Sequence, residues 1–135
     1  MSRKIQDVEG IGPKYAEILK QAGIDTTAKL LDAGADKKGR KALADKTSIS
    51  ETSILKWVNM CDLFRIKGVA GQFAELLEGA GVDTVKELRN RNAENLAEKV
   101  AEVNKAKRLC KATPGVKTVT RWIDQARLLP PMVTY

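Results

Sequence analysis

The chain has 135 residues, of which 43% are hydrophobic and 4% aromatic, and it carries 24 Lys and Arg against 17 Asp and Glu for a net charge of +7. That is apolar material for one domain or two small ones, with a core built mainly on Leu, Ile, Val and Ala. Histidine is absent, which removes the commonest general base and the commonest metal ligand together.

Other catalytic and targeting signatures are also missing. No phosphate-binding Walker loop, no Gly-x-Ser-x-Gly and no His-Glu-x-x-His occurs. The acidic residues are scattered at positions suited to exposed helix faces. Cys61 and Cys110 lack Cys-x-x-Cys spacing and read as free, mostly buried thiols. The expectation is a non-catalytic protein without metal or cofactor. No apolar run reaches membrane-spanning length, and Met1-Ser-Arg-Lys-Ile5 leads into the first motif without a signal-peptide core. A cytoplasmic protein that does not contact membranes is expected.

In chain order, the first element is the string Val8-Glu-Gly-Ile-Gly-Pro-Lys-Tyr-Ala-Glu-Ile-Leu19, and it recurs as Ile66-Lys-Gly-Val-Ala-Gly-Gln-Phe-Ala-Glu-Leu-Leu77. At a constant offset of 58, residues 8–35 pair with 66–93 and ten of the 28 pairs are identical. Trp57 and Trp122 also pair, at an offset of 65, so seven residues are inserted between the anchors of the second copy. The chain reads as one unit duplicated, with domains at residues 1–64 and 65–135.

Within the first copy, Val8, Ile11, Tyr15, Ile18 and Leu19 recur at three- and four-residue steps, the period of a helix. Pro13 suits its first turn, and Gly23 ends it in the left-handed conformation. The spacing predicts a helix over 13–21. Thr26 caps the next helix, and in the second copy Thr84-Val-Lys-Glu87 reads as a capping box. Ser50 and Asn92 are further N-cap candidates. Residues 51–63 and 116–129 read as longer amphipathic helices, carrying Ile54, Trp57, Val58 and Cys61, and Val119, Trp122, Ile123 and Ala126. Pro130-Pro131 stops the second. No segment alternates as a strand would. The fold class is all-α, about five short helices per copy. Ile11, Tyr15, Ile18, Leu19 and Trp57 are expected to be buried, as are Val69, Phe73, Leu76, Leu77 and Trp122.

The first turn carries the chemistry. Gly10 and Gly12 permit positive φ in a short turn, Ile11 points inward, and the N–H groups around Gly12 and Lys14 face outward from a helix N-terminus. Such an end offers unpaired donors and partial positive charge to a phosphate, and Lys14 adds a full charge. The second copy has Ala70 for the second glycine and Gln72 for Lys14. Arg65 and Lys67 stand just before it. That hairpin reads either as a weakened phosphate site or as architecture alone.

Further along, residues 103–121 hold six basic residues and no acid: Lys105, Lys107, Arg108, Lys111, Lys117 and Arg121. A polyanion partner and a solvated basic face account for this equally well. Two later turns read as degenerate forms of the first. Lys46-Thr-Ser48-Ile49-Ser50 has Ile49 in the hydrophobic place. Thr113-Pro-Gly115-Val116-Lys117 keeps one glycine, an inward Val116 and a following lysine.

The string from Val8 to Leu19 resembles the helix-hairpin-helix motif. Over residues 4–129 the chain resembles a bacterial family of duplicated, paired helix-hairpin-helix units without an established function. The resemblance implies two tandem compact five-helix units and sequence-independent contact with the DNA sugar–phosphate backbone, RNA being a second candidate. The same fold also serves some proteins as a protein–protein adaptor, and that is the alternative reading. On the first reading the contacts come from Gly10, Gly12, Lys14, Lys105, Lys107, Arg108, Lys111, Gly115, Lys117 and Arg121. No helix groups Arg, Asn and Gln to read base edges, so sequence preference should be low.

Overall fold

The computed structural model describes residues 3–135. Among these residues all regular structure is helical apart from one isolated bridge between Lys4 and Thr26. A 3-10 helix at Ile5–Asp7 is followed by α1 (Pro13–Gln21), α2 (Thr27–Gly34), α3 (Lys37–Thr47) and α4 (Glu51–Leu63). Then come α5 (Gly71–Gly79), α6 (Val85–Leu88), α7 (Ala93–Lys107) and α8 (Val116–Leu128).

The chain divides into two units. One runs up to Asp62 and takes in Met132–Tyr135, and the other is Leu63–Pro131. The return of the C-terminal tail to the first unit departs from a simple split after residue 64. In that unit the Thr134 N–H donates to the Ala35 carbonyl at 2.8 Å. The buried Arg40 guanidinium donates to the carbonyls of Gly34 at 2.8 Å and Thr134 at 2.6 Å.

The second unit also departs from the expected five helices, having α5 to α8 and no counterpart of the 3-10 helix. The local hydrogen bond survives: Ile66 N–H to Leu63 carbonyl at 3.0 Å matches Val8 N–H to Ile5 carbonyl at 3.2 Å. Of the residues matching Ile5–Asp7, only Leu63 is helical, as the last residue of α4, and the next two form a turn.

The helix starts follow the sequence closely. Thr26, Thr84 and Asn92 each accept a hydrogen bond from the backbone N–H three residues on, and Ser50 Oγ accepts from Ser53 N–H at 3.1 Å. Each cap satisfies a donor that the helix itself leaves unpaired. The box at Thr84 closes differently from the expected form. The Glu87 carboxylate accepts from the Asp83 N–H at 3.0 Å, one residue before the cap. Burial, then Glu87 and Glu78, raise the Asp83 carboxyl above its ordinary value.

Packing within each unit is aliphatic. In the first, Ile5, Val8, Ile11, Leu19, Leu30, Ile54 and Trp57 are buried, and α2 packs on α3. In the second, Val69, Leu76, Leu77, Val85, Leu88, Leu96, Val100, Val119 and Trp122 are buried, with α7 against both α5 and α8. The expectation fails at Tyr15, which is 43% exposed, and at Ile18 and Phe73, which are half-buried. The two aromatics lie across their tryptophans, not under them. Tyr15 and Trp57 have ring centroids 5.3 Å apart at 58°, and Phe73 and Trp122 also lie at 5.3 Å, at 53°.

The second copy is lengthened in two places, offset by a start of α7 two residues earlier than the 58 offset from α3 gives. Helix α7 has 15 residues where α3 has 11, and the connection to the next helix covers residues 108–115 in place of 48–50. Both α3 and α7 end on a left-handed residue, Ser48 at φ 61° and Arg108 at φ 52°.

The two thiols sit differently. Cys61 is buried, and burial, aided by the Asp62 charge, pushes its thiol up to about 12. Cys110 is half-buried, and its thiol is raised by burial and by Glu75. Because the thiolate is the reactive species, a disulfide reagent at pH 8 should modify Cys110 in the folded protein at least about tenfold faster than Cys61. Cys61 should respond fully only in denaturant. Equal rates for both thiols in native protein would contradict the burial of α4.

Candidate nucleic-acid interface

Four helices, α1, α4, α5 and α8, have starts that share one hydrogen-bond pattern. The carbonyl of the residue before the helix accepts the first intrahelical bond: Gly12 from Ala16, Ser50 from Ile54, Ala70 from Ala74 and Gly115 from Val119, all at 2.9–3.1 Å; Gly12, Ala70 and Gly115 are extended. The residue before that is buried in every case: Ile11, Ile49, Val69 and Pro114. In the first three, the residue before that is left-handed, namely Gly10 at φ 94°, Ser48 at φ 61° and Gly68 at φ 96°. The fourth connection is the one lengthened by the insertion, and its left-handed residue, Arg108, lies well upstream.

This geometry corrects two expectations. Gly12 has φ −82° and ψ −178°, ordinary extended backbone, so it does not use the conformational freedom of glycine. Ala70 occupies the equivalent place at φ −107° and ψ −174°, so the second-copy turn forms with the same backbone as the first. Val116 is 46% exposed and does not point inward. The inward residue of that connection is Pro114, which shifts the register by two. Gly115 then matches Gly12, and Lys117 matches Lys14.

The match is close. Gly115 has φ −85° and ψ 179° against −82° and −178° for Gly12. Neither helix has a side-chain cap. Beyond the adjoining residues, no atom lies within 4 Å of where a Cβ would stand on either glycine. Lys14 and Lys117 each occupy the second helical position and are exposed. Each unit therefore presents one open Gly-x-Lys helix start. N–H groups with no internal partner, the positive end of the helix dipole and an ammonium group converge there.

The other two starts differ. At α4 the Ser50 hydroxyl already fills the donor site, and Glu51 brings negative charge to the first turn. At α5 the turn is tied to α8, with the Lys67 N–H donating to Gln125 Oε1 at 2.8 Å and Gln125 Nε2 donating to the Lys67 carbonyl at 3.2 Å. Arg65 donates to the Pro130 carbonyl at 2.6 Å.

The other candidate cations, Lys105, Lys107, Arg108, Lys111 and Arg121, are exposed. Lys105 and Lys107 lie in the last turn of α7, where cations also complement the helix dipole. Arg121 follows Lys117 by four residues on α8, which places both on one helix face. Arg108 and Lys111 lie on the inserted connection and share a cleft of about 590 Å³ with Gln72 of α5. Sequence reading did not bring Gln72 to the basic stretch. The change of offset from 58 to 65 signals an insertion but not where it folds.

Among the described residues no cluster of three His, Cys, Asp or Glu side chains could hold a metal, and no helix is long and apolar enough to cross a membrane. No curated protein and no solved structure shows significant similarity to the chain. Residues 9–129 match the family described as Domain of unknown function (DUF4332), and since the match spans most of its length, the chain belongs to that family.

Proposed function

We propose that the protein is a non-catalytic binder of nucleic acid that grips the DNA sugar–phosphate backbone through helix-hairpin-helix turns, without regard to base sequence. The observation that carries this reading is the pair of open helix starts, Gly12-Pro13-Lys14 and Gly115-Val116-Lys117. They share backbone angles to within a few degrees, lack side-chain caps and carry a lysine at the same position. A duplicated fold can tolerate loss of one copy of such a feature. Its presence once in each unit, on different turns of the repeat, points to a use for both. The exposed cations Lys105, Lys107, Arg108, Lys111 and Arg121 supply further neutralising charge to the second unit.

The test is fluorescence anisotropy with a labelled duplex across a salt series. Affinity should fall with a log–log slope of about −0.9 for each phosphate contacted, and scrambling the sequence should change little. Lys14→Glu and Lys117→Glu should each weaken binding and flatten the slope by about 1. RNA and single-stranded DNA serve as competing probes. If no binding appears even at low salt, this reading fails and the adaptor reading takes its place. The self-capped start at Ser50, with Glu51 in its first turn, already favours a purely architectural use of that turn.

A further inference from the structure

We infer that the second unit holds an additional phosphodiester subsite, assembled from Gln72, Arg108 and Lys111 in the cleft between the start of α5 and the inserted connection. It rests on the nucleic-acid reading above. Gln72 stands where the first repeat has Lys14, so by sequence this turn has lost its cation. The fold supplies replacements from elsewhere in the chain. Arg108 adopts the left-handed conformation that ends α7, and the chain then runs past α5, so that Arg108, Leu109, Cys110 and Lys111 line one cleft with Gln72.

Asn104 holds that segment in place. Its side chain is 7% exposed. Its Nδ2 donates to the Cys110 carbonyl at 3.0 Å and to Thr113 Oγ1 at 2.8 Å, and its Oδ1 accepts from the Cys110 N–H at 2.9 Å. A buried amide with three hydrogen bonds holds the Cys110 backbone and the Thr113 side chain, on either side of Lys111, so the two cations flank an anchored segment.

Arg108 and Lys111 bring two positive charges to the cleft, and on the nucleic-acid reading the anion they meet is a backbone phosphodiester. Gln72 contributes a neutral N–H donor, and Leu109 gives an apolar wall beside which a sugar could lie. The Gln72 position is therefore part of a contact made by side chains from two segments, whereas the Lys14 contact comes from one.

The experiment compares duplex affinity at low salt for wild type, Arg108→Glu with Lys111→Glu, Lys105→Glu with Lys107→Glu, Gln72→Lys and Gln72→Ala. The two double variants change charge equally, but only the first lies in the cleft. The cleft pair is expected to lose on the order of tenfold more affinity than the control pair, and Gln72→Lys to bind more tightly than wild type. Equal losses from both pairs, with Gln72→Lys neutral, would leave only diffuse attraction and overturn the subsite while the nucleic-acid reading stands. A wild type that does not bind overturns both. Gln72→Ala removes the amide without changing charge, so unchanged affinity there would overturn the subsite even if a double variant fails to fold.

Discussion

Replacing Trp57 by alanine is expected to cost roughly 3–5 kcal/mol of stability, and Trp122→Ala a similar amount. Both indoles are nearly inaccessible, at 4% and 3% exposure. Each sits where three parts of its unit meet. Trp57 on α4 faces Tyr15 of α1, and its Nε1 lies 3.1 Å from the place a Cβ would take on Gly10. Trp122 on α8 faces Phe73 of α5, with its Nε1 3.6 Å from the same place on Gly68. Each ring therefore supports a tight turn and the helix that follows it. Truncation opens a cavity under the turn, a larger loss than burial of the ring alone would give. Urea denaturation checks this, and a change under about 1 kcal/mol would show that the ring is not core. Phenylalanine at either position should recover part of the loss.

The repeat makes most of this legible in the sequence. An offset of 58 that carries ten identities pairs the two turns, and the constant types at Tyr15 and Phe73 pair the aromatic contacts. Helix limits were readable because capping chemistry is local. Pro13, Thr26, Ser50, Thr84, Asn92 and Pro130 each act within one turn of their own position. Burial at the edge of the core was less legible. Helical spacing puts Tyr15 and Ile18 on the inner stripe, but the period does not say how wide that stripe is. The Tyr15 ring leans over Trp57 with its edge in solvent. The tail was not legible at all. Nothing in Met132–Tyr135 predicts that Thr134 pairs with Ala35 and Arg40, since such a contact depends on where a distant segment ends.

The candidate site was half legible. Gly-Ile-Gly-Pro-Lys marks the start of α1, because glycine, proline and lysine in that order each have a reason at a helix N-terminus. Its counterpart at Gly115 is also legible, but the sequence pattern sets it in a register two residues off. Aligning on the hydrophobic residue after a glycine selects Val116, whereas the backbone aligns on the glycine that precedes the helix, which makes Pro114 the inward residue. The importance assigned to the second glycine was also misplaced. Ala70 builds the same turn, so glycine at position 12 is not demanded by conformation.

That last point separates fold from function in a single experiment. Gly10→Ala is expected to cost about 2–3 kcal/mol. An L-residue at φ 94° carries about 1–2 kcal/mol of strain, and the added Cβ presses on Trp57 Nε1 at 3.1 Å. Gly12→Ala should cost no more than about 1 kcal/mol. Its backbone is extended, nothing beyond the adjoining residues lies within 4 Å of the new methyl group, and the small penalty is that of alanine against glycine at an N-cap. Binding should follow a different order. The open space beside Gly12 is where a phosphate would approach the helix start, and a methyl group there keeps it at a distance from the N–H donors. Gly12→Ala should therefore weaken duplex binding while the denaturation midpoint moves little, and Gly115→Ala should do the same in the second unit. Urea melts and anisotropy on the same protein samples read both effects. Unchanged affinity in both alanine variants would mean that phosphates do not approach these helix starts, and the exposed lysines would then act only as diffuse charge.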